Sequence, residues 1–378
     1  MPQIKPEVEA FARIKVIGIG GSGKNATNHM INSKVKGVEF IAINTDAQDL
    51  HNSLASKKIH IGKNLTKGLG TGMNPELGKR AAEETKEEIQ EALKGADMVF
   101  IAYGAGGGTG SGGGPMISKV AKEMGILTVG VVTKPFFFEG IQRMKIAEQS
   151  LEELRKGVDA LIIIPNDRLL STISRETTAI QAFALCDDIL KQAVEGISDL
   201  ITMPGIINTD FADIRAIMEN AGSALMGIGI ADGENRAIEA AKLAISSPLL
   251  ELSVSGAKGV LFSIAGGDDL TMFEIQDAAK LITESIDSNA KVIFGTVHDT
   301  RLKKNELKIT VIASGFSDVP NKKSLFQSAT PEKEDDKKHK VEVQAKQQPI
   351  VEEKNNKSDF DDDSDWGAIP AFLRRQKK

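Results

Sequence analysis

The stretch that decides the fold is GAGGGTGSGGGP, which runs from Gly104 to Pro115. It follows a short apolar run and precedes a segment of helix-forming residues. Glycine loses more conformational entropy on folding than other residues, so a structural turn would use only one or two glycines. The glycine density therefore predicts an extended nest of backbone N–H groups around a phosphate chain, with Thr109 and Ser111 as further hydroxyl donors.

Short runs rich in isoleucine and valine lie on both sides of this stretch, and helix-forming segments separate them. Such runs are typical of strands buried on both faces, and their alternation with helices predicts an α/β fold with a mostly parallel sheet. The predicted strands are Ile14–Ile19, Val38–Asn44, Asp97–Gly104, Leu127–Thr133 and Ala160–Asn166. The predicted helices are Asn74–Leu93, Met116–Met124 and Ile146–Gly157. Nucleotides bind such sheets at the carboxyl ends of the strands.

A long helix and a second α/β region are predicted next. Apolar residues recur at helical spacing from Thr177 to Ile201, and Pro204-Gly205 ends the pattern. The region that follows has predicted strands at Gly259–Ala265, Lys291–Val297 and Leu307–Ser314, and predicted helices at Phe211–Asn220, Asn235–Ser246 and Met272–Ile286. The sequence therefore predicts a long central helix and a smaller C-terminal α/β domain.

The two ends of the chain differ in composition from its centre. Residues 1–12 are predicted to be a short polar extension. Residues 317–358 are rich in Lys, Glu, Gln and Asn, so they cannot bury enough apolar surface to fold and are predicted to be a disordered linker. Residues 359–378 add an apolar cluster after an acidic run, which favours a partner-binding peptide over an inert tail. The apolar residues of the cluster are Trp366, Ile369, Pro370, Phe372 and Leu373.

Composition excludes several classes of function. The net charge of −5 offers no basic face for a nucleic acid. The single cysteine, Cys186, excludes an intramolecular disulfide and fits a reducing cytosol. One cysteine and five scattered histidines make no zinc-type cluster. The first residues carry charges among the apolar ones, which argues against a signal peptide, and no apolar run is long enough to predict a membrane span.

A second glycine-rich loop, GIGGSGKN at Gly18–Asn25, follows the first predicted strand. Its GxGxxG spacing allows a backbone to approach a phosphate at a helix N-terminus. Asp46, just past the next strand, could serve as the ribose-binding acid of a dinucleotide fold. An NAD-dependent oxidoreductase is therefore one alternative, although it leaves the Gly104–Pro115 stretch unexplained.

Several motifs in register make the resemblance specific. GGGTGSG at Gly106–Gly112 resembles the signature of the tubulin/FtsZ family, and the match extends over about residues 13–316. The other matching motifs are NTDAQDL (Asn44–Leu50), GLGTGMNPE (Gly68–Glu76), VVTKPFFFEG (Val131–Gly140), IPNDRLL (Ile164–Leu170), INTDFADIR (Ile207–Arg215) and IPAFLRR (Ile369–Arg375). This resemblance implies a Rossmann-like GTPase domain at 13–176, a central helix at 177–201 and a C-terminal domain at 202–316 that carries the catalytic loop.

The resemblance also implies which residues bind GTP or GDP. By residue-by-residue match, the phosphates would lie between two glycine-rich loops, and separate groups would contact the ribose and the guanine. The implied phosphate-side residues are Gly20, Gly21, Ser22, Gly23, Lys24, Asn25, Asn44, Asp46, Gly70, Thr71, Gly72, Gly106, Gly107, Gly108, Thr109 and Gly110. Glu139 and Arg143 are the implied ribose-side residues, and Asn166, Phe183 and Asp187 the implied guanine contacts. Mg²⁺ would be held by the nucleotide phosphates.

Catalysis is implied by the segment NTDFAD. From the residues alone, Asn208 could cap a helix and the two acids that follow could simply complement its dipole. The resemblance instead implies that Asn208, Asp210 and Asp213 complete the site of a neighbouring subunit, so that GTP is hydrolysed only on assembly. The resemblance further implies a cytoplasmic protein that forms head-to-tail filaments at the bacterial division site, on the inner face of the membrane, where the C-terminal peptide would bind anchoring and regulatory division proteins.

Lys24 departs from the family pattern, because a glycine or another small residue is usual there. It could reach a phosphate or point to solvent, and the sequence leaves both open. A further alternative to the GTPase is a scaffold of the same superfamily that binds GTP without hydrolysing it. The presence of Asn208, Asp210 and Asp213 argues against that alternative.

Overall fold

The computed structural model describes residues 12–170, 173–174, 176–203, 205–247, 256–299 and 301–316. The predicted linker at 317–358 and the predicted peptide at 359–378 lie outside these residues, as does all but the last residue of the N-terminal extension.

Six parallel strands form the N-terminal part of the sheet, in the order β3-β2-β1-β4-β5-β6. They are β1 (Ile14–Ile19), β2 (Val38–Asn44), β3 (Lys57–His60), β4 (Met98–Gly104), β5 (Leu127–Lys134) and β6 (Ala160–Pro165). β1, β4 and β5 are almost wholly buried, because helices cover both faces. The predicted mostly parallel sheet is confirmed. The strand order reverses between β1 and β4, and this crevice is where α/β sheets bind ligands.

Helices of the N-terminal part connect these strands and cover the sheet. They are α1 (Gly20–Asn32), α2 (Ala47–His51), α3 (Lys63–Thr66), α4 (Pro75–Glu84), α5 (Lys86–Leu93), α6 (Thr109–Glu123), α7 (Ile141–Gly157) and α8 (Asn166–Leu170). The single helix predicted at Asn74–Leu93 is wrong in one respect, because it is divided into α4 and α5 at Thr85. The Thr85 hydroxyl donates to the carbonyl of Ala81 and accepts from the backbone N–H of Gly62.

The glycine-rich stretch differs from its prediction. β4 ends at Gly104, only 105–108 forms a loop, and α6 begins at Thr109, so the second half of the stretch is helical. The glycines there allow close packing: a Cβ on Gly112 would collide with the carbonyl oxygen of Pro75 at the start of α4. A Cβ on Gly110 or Gly114 would press on the ring of Tyr103, which is fully buried in β4. The glycine density therefore serves helix packing as well as the loop.

A 24-residue helix, α9 (Ala179–Thr202), follows the last parallel strand and confirms the predicted long helix. Thr178 caps it, since its hydroxyl accepts from the backbone N–H of Gln181 while the Gln181 side chain accepts from the N–H of Thr178. The C-terminal half of α9 is buried.

Ion pairs connect this buried half of α9 to the C-terminal part of the chain. The Arg301 guanidinium forms ion pairs with Glu195 and Asp199 of α9 and with neighbouring Asp299. Lys308 Nζ lies 3.5 Å from Glu195 Oε2. The long helix is thereby fixed to the second part of the sheet by charge as well as by apolar packing.

The C-terminal part continues the same sheet in the order β7-β10-β8-β9. Its strands are β7 (Gly222–Asp232), β8 (Gly259–Gly266), β9 (Lys291–His298) and β10 (Glu306–Ser314), and its helices are α10 (Phe211–Met218), α11 (Arg236–Ile245) and α12 (Met272–Glu284). β10 pairs antiparallel with β7 and β8. β7 also pairs with β6 over a short register from Gly222 to Ala224, which joins the two parts. Three of these four strands and all three helices match predicted segments; β7 was not predicted.

Candidate functional site

A cavity of about 450 Å³ opens at the carboxyl ends of the parallel strands, where the strand order reverses. Its size is that of a small-molecule site. Residues from the ends of β1, β4 and β5, from the helices α1, α6, α7, α8 and α9, and from the loops after β4, after β5 and before α4 line it. They are Ile19, Gly20, Gly21, Ser22, Asn25, Thr71, Gly104, Ala105, Gly107, Gly108, Thr109, Gly110, Thr133, Pro135, Glu139, Arg143, Asn166, Phe183, Cys186, Asp187 and Leu190.

The first glycine-rich loop brings the N-terminus of α1 to the cavity. β1 ends at Ile19, and the chain turns into the helix at Gly20, whose φ of 69° favours glycine. Gly18 and Gly23 pack backbone to backbone, since a Cβ on Gly18 would collide with the carbonyl oxygen of Gly23. The free N–H groups of the first turn and the positive end of the helix dipole make this edge of the cavity suitable for a phosphate.

The second loop brings another helix N-terminus to the same cavity. Gly106 has a φ of 98°, and its backbone N–H donates to Ser111 Oγ at 2.9 Å. A Cβ on Gly107 would meet no atom within 4 Å, so this residue faces open space. α6 then begins at Thr109, also on the cavity wall. Two helix N-termini that face one cavity fit a phosphate chain held from both sides.

Three threonine hydroxyls meet beneath the phosphate side. Thr109 Oγ1 lies 2.8 Å from Thr45 Oγ1 and 3.3 Å from Thr71 Oγ1. All three side chains are buried. This contact fixes the loop that carries Thr71 against the start of α6, although Gly70 and Gly72 of that loop do not line the cavity.

The opposite end of the cavity carries the groups suited to a base. Asn166 is buried, and its Oδ1 has no hydrogen-bond partner among the described residues. A buried polar atom without a partner is costly, so this amide fits a ligand with complementary groups. Phe183 stands half exposed and contacts the ring of Phe136 edge to face at 5.4 Å.

Asp187 is the charged group at this end. Burial raises the pKa of its carboxyl to about 6, and the charge of His29 opposes the rise. A carboxylate here can accept two hydrogen bonds from the N1–H and N2–H₂ edge of guanine, which adenine lacks. Cys186 also lines the cavity; burial, followed by the charge of Asp187, raises the pKa of its thiol to about 12, so the thiol stays protonated.

Glu139 and Arg143 form the wall between the two ends. Arg143 Nη1 donates to Glu139 Oε2 at 3.1 Å, and Glu139 Oε1 accepts from the backbone N–H of Phe136 at 3.0 Å. The pair therefore offers a fixed carboxylate and a guanidinium where hydroxyl groups of a sugar could bind.

Seven of the predicted nucleotide residues do not line the cavity. They are Gly23, Lys24, Asn44, Asp46, Gly70, Gly72 and Gly106. Asn44 and Asp46 instead organise the loop after β2: Asp46 Oδ1 accepts from the backbone N–H of Asp49 and caps α2. Lys24 does not point to solvent, which was one of the two alternatives left open, because it is buried and its Nζ donates to Asp49 Oδ1 at 2.6 Å.

Seven lining residues were not predicted. They are Ile19, Gly104, Ala105, Thr133, Pro135, Cys186 and Leu190. Ile19, Gly104 and Thr133 stand at or next to the last residue of their strands, so the rule that ligands bind at carboxyl ends could have identified them. Cys186 and Leu190 line the cavity because of the way α9 is rotated about its axis, and the sequence does not determine that rotation to within one residue.

The predicted catalytic residues lie away from the cavity. Asn208, Asp210 and Asp213 are exposed and line no part of it. Asp210, rather than Asn208, caps α10, since its Oδ1 accepts from the N–H of Ala212. On the same helix, Arg215 Nη2 donates to the carbonyl of Gly125 at 3.3 Å, just before β5 begins. Thr133, at the other end of β5, lines the cavity. β5 has eight residues, so its two ends lie about 25 Å apart. The helix that carries Asp213 therefore contacts one end of β5, and the cavity lies at the other.

The described residues contain neither a metal-binding cluster nor a helix that could span a membrane. No group of three or more His, Cys, Asp or Glu side chains among them could hold a metal ion. No helix in the described ranges is long and apolar enough to cross a membrane.

Similar solved structures include FtsZ proteins. An empty FtsZ dimer from M. jannaschii is 43% identical in sequence, with a TM-score of 0.77, over 80% of this chain and 88% of that chain. A mutant FtsZ from M. jannaschii is also 43% identical, with a TM-score of 0.78, over 81% and 92%. CetZ2 from Haloferax volcanii, in a GTPγS-bound protofilament, is 21% identical with a TM-score of 0.68 over 81% and 94%, which shows the shared fold alone.

Two family models match the chain in succession. The GTPase domain of the Tubulin/FtsZ family matches residues 13–174, and the C-terminal domain of the FtsZ family matches residues 222–317. The GTPase match contradicts both the oxidoreductase alternative and the non-hydrolysing scaffold. With 43% identity over most of its length to solved FtsZ structures, this GTP-binding chain is a GTPase that belongs to the tubulin/FtsZ family.

Proposed function

We propose that this protein assembles head to tail into filaments and hydrolyses GTP at the contact between successive subunits. The observation that carries the proposal is the separation of the cavity from Asp210 and Asp213 along β5. One subunit cannot bring these groups together without losing its fold. A second subunit stacked along the strand direction would place its aspartates over the cavity of the first, and such a contact continues without closing.

Within one subunit, GTP would lie across the cavity from the glycine-rich loops to α9. The triphosphate would accept hydrogen bonds from the backbone N–H groups at the starts of α1 and α6. Glu139 and Arg143 would hold the ribose. Asn166 and Asp187 would bind the guanine edge, and Phe183 would pack on the base. The unpartnered Asn166 Oδ1 supports this orientation, because a bound base would supply its missing partner.

The hydrolytic step would use groups from both subunits. Asp210 and Asp213 of the neighbour would orient and polarise the attacking water, while the N–H groups at the phosphate end would bind the oxygens that gain charge. Asn208 would help to hold that loop, since its Oδ1 accepts from the N–H of Gly205 at 2.8 Å. Mg²⁺, held by the phosphates themselves, would supply further charge neutralisation.

At the level of the cell, the filaments would form the ring that divides it, and GTP hydrolysis would drive their turnover. FtsZ from M. jannaschii, which is 43% identical, is seen as a dimer, which supports self-assembly of this chain. The protein would act in the cytoplasm on the inner face of the membrane at the division site. Its C-terminal peptide, with Trp366, Ile369, Pro370, Phe372 and Leu373, would bind anchoring and regulatory division proteins.

The test is phosphate release from GTP as the protein concentration rises, for the wild type and for Asp213→Ala. Wild-type specific activity should rise sharply above a threshold concentration, because each site needs a neighbour. Asp213→Ala should still sediment as polymer with GTP but release phosphate at least about a hundredfold more slowly, as expected when the group that positions a nucleophile is lost.

Glu239→Ala is the matched control, since Glu239 is likewise an exposed acid in the first turn of a helix, α11. It should retain wild-type activity. Specific activity that stays constant with concentration would show that the site lies within one subunit, and the proposed role of Asp210 and Asp213 would then be wrong.

A further inference from the structure

A buried ion pair lies behind the first phosphate loop. Lys24, in the second turn of α1, places its Nζ 2.6 Å from Asp49 Oδ1 in α2. The Lys24 side chain is 11% exposed and that of Asp49 is 30% exposed. Asn44 Nδ2 donates to the other carboxylate oxygen, Oδ2, at 2.8 Å. Both oxygens of Asp49 therefore have donors, and the pair is neutral as a whole.

The Asp49 carboxylate is close to the site of phosphate binding. A Cβ built on Gly21 would lie 3.7 Å from Asp49 Oδ2, with nothing else within 4 Å. Gly21 lines the cavity and belongs to the first turn of α1, whose N–H groups face the ligand. Asp49 therefore holds a negative charge beside the helix N-terminus that is to receive an anion. Unpaired, this charge would repel a phosphate chain.

Lys24 itself does not face the cavity. It is absent from the lining, whereas the next residue, Asn25, is part of it. The lysine points to Asp49, the only group that takes its charge among the contacts described.

We propose that Lys24 is a positioning residue for nucleotide binding, which neutralises Asp49 and so keeps the N-terminus of α1 free for the phosphates. The same contact connects α1 to the loop after β2, because Asp49 also accepts a hydrogen bond from the side chain of Asn44. Asn44 Oδ1 in turn accepts from the backbone N–H of Thr45 at 2.9 Å. This inference rests on the proposed placement of the phosphates at the start of α1. It assigns to Lys24 a role that depends wholly on Asp49.

The experiment compares four proteins by titration calorimetry with GTP and with GDP: wild type, Lys24→Met, Asp49→Asn and the double variant. Lys24→Met keeps the aliphatic stem but leaves the carboxylate unpaired, so GTP affinity should fall on the order of tenfold. The affinity for GDP should fall less than that for GTP, because GDP carries less negative charge. The defect should shrink as salt is raised, since salt screens repulsion.

The double variant separates this role from direct phosphate contact. K24M/D49N replaces the ion pair by two neutral side chains of similar shape and should bind GTP within about threefold of wild type, because uncharged replacement of an ion pair is commonly tolerated. Lys24→Arg should also bind as the wild type does. If K24M/D49N binds GTP as weakly as Lys24→Met, or if Lys24→Met binds normally, the proposal is wrong.

Two further outcomes remain decisive. If Lys24→Met does not fold, as judged by its thermal unfolding, the double variant alone tests the proposal, and weak GTP binding by a folded double variant overturns it. If the wild type itself binds no GTP, the proposed placement of the nucleotide fails, which is distinguishable from a failure of the Lys24 inference.

Discussion

Asp187 is the proposed guanine-binding acid, and the ionisation of its carboxylate gives that proposal a testable consequence. Burial raises its pKa to about 6. The bound guanine requires the ionised form, so binding should weaken as the pH falls through 6 and not change above about 7. At one pH unit below the pKa the affinity for GDP should be roughly tenfold lower. Titration with GDP from pH 5 to pH 8 measures this.

Asp187→Asn is the control for that titration. An asparagine cannot accept both guanine hydrogen bonds, so the variant should bind GDP weakly at every pH and show no inflection near 6. An inflection that persists in Asp187→Asn would assign the titration to another group and contradict the role of Asp187.

At this same scale, sequence reasoning succeeded where a residue acts through its backbone or stands in a fixed motif. Gly20, Thr109 and Asp187, which were predicted to bind nucleotide, all line the cavity, and their contact with a nucleotide stays a prediction. It failed for Lys24 because the partner, Asp49, lies in another helix, and no local pattern indicates that contact. Asp46 was predicted to bind nucleotide, and this stays a prediction; in the structure its side chain caps α2, a local role open to any aspartate before a helix.

At the scale of elements, the contact between α4 and α6 depends on the absence of one side chain. A Cβ on Gly112 would collide with the carbonyl oxygen of Pro75. Because this oxygen belongs to the backbone, it cannot move away unless α4 moves with it. Gly112→Ala should therefore lower the free energy of unfolding by about 1 to 3 kcal/mol, as overpacking does. Urea unfolding followed by circular dichroism measures the change.

Gly113→Ala is the matched control in the same helix. The nearest atom to a Cβ at Gly113 is 3.7 Å away, an ordinary contact. Alanine also favours helix over glycine by about 1 kcal/mol, so this variant should be as stable as the wild type or more so. Equal effects of the two substitutions would show that α4 and α6 are not packed as described.

A second prediction concerns the buried half of α9. Burial, and after it the charge of Glu195, raises the pKa of Asp199 to about 6, against the attraction of Arg301. Since the ordinary value is 3.8, folding favours the protonated form, and the stability that Asp199 contributes declines as the pH rises from about 4 to about 6. The free energy of unfolding of Asp199→Asn, measured relative to that of the wild type, should therefore rise by about 1 to 3 kcal/mol between pH 4 and pH 7.5.

Asp188→Asn on the same helix should behave in the opposite way. Burial works to raise the pKa of Asp188, but the hydrogen bond and charge of Lys191, with His29 and Gln192, hold it below its usual value. The wild type therefore draws stability from Asp188 above the ordinary pKa of 3.8, and Asp188→Asn should lose stability relative to wild type as the pH rises through that range. Urea unfolding at a series of pH values tests both variants, and parallel pH profiles for the two would contradict the assignment.

The elements themselves were predictable where burial leaves a continuous apolar run. β1, β4 and β8 were located to within a residue or two for this reason. β7 was missed because its sequence, GSALMGIGIAD, contains three glycines that interrupt the apolar pattern. The start of α6 was missed because glycine argues against a helix, and only the tertiary contact with α4 makes glycine necessary there.

At the scale of the whole molecule, the proposed division of the active site between two subunits predicts complementation. Asp213→Ala keeps the cavity but lacks the aspartate. Gly107→Phe keeps the aspartates but fills the cavity, since nothing in the protein occupies the space beside Gly107. Each alone should release little phosphate, and a mixture should recover activity, because one subunit supplies the cavity and the other the acid.

The control is a mixture of Asp213→Ala with the double variant G107F/D213A, which supplies no aspartate to either side. It should stay inactive. Recovery in this control, or none in the first mixture, would contradict a site shared between subunits. Sequence reasoning reached this arrangement through the family resemblance alone, because the separation of two loops along a strand is visible only in the folded chain.

The burial of Tyr103 gives the molecule an optical property. The chain has one tyrosine and one tryptophan, and the tryptophan, Trp366, lies in the C-terminal segment outside the described residues. The phenol of Tyr103 packs on Gly110 and Gly114 of α6, and its hydroxyl lies 2.9 Å from Ser150 Oγ. Its near-ultraviolet signal therefore reports on the helix whose first turn faces the nucleotide. Because the one tryptophan belongs to the proposed partner-binding peptide, one unlabelled sample offers separate tests of nucleotide binding and of the proposed partner binding.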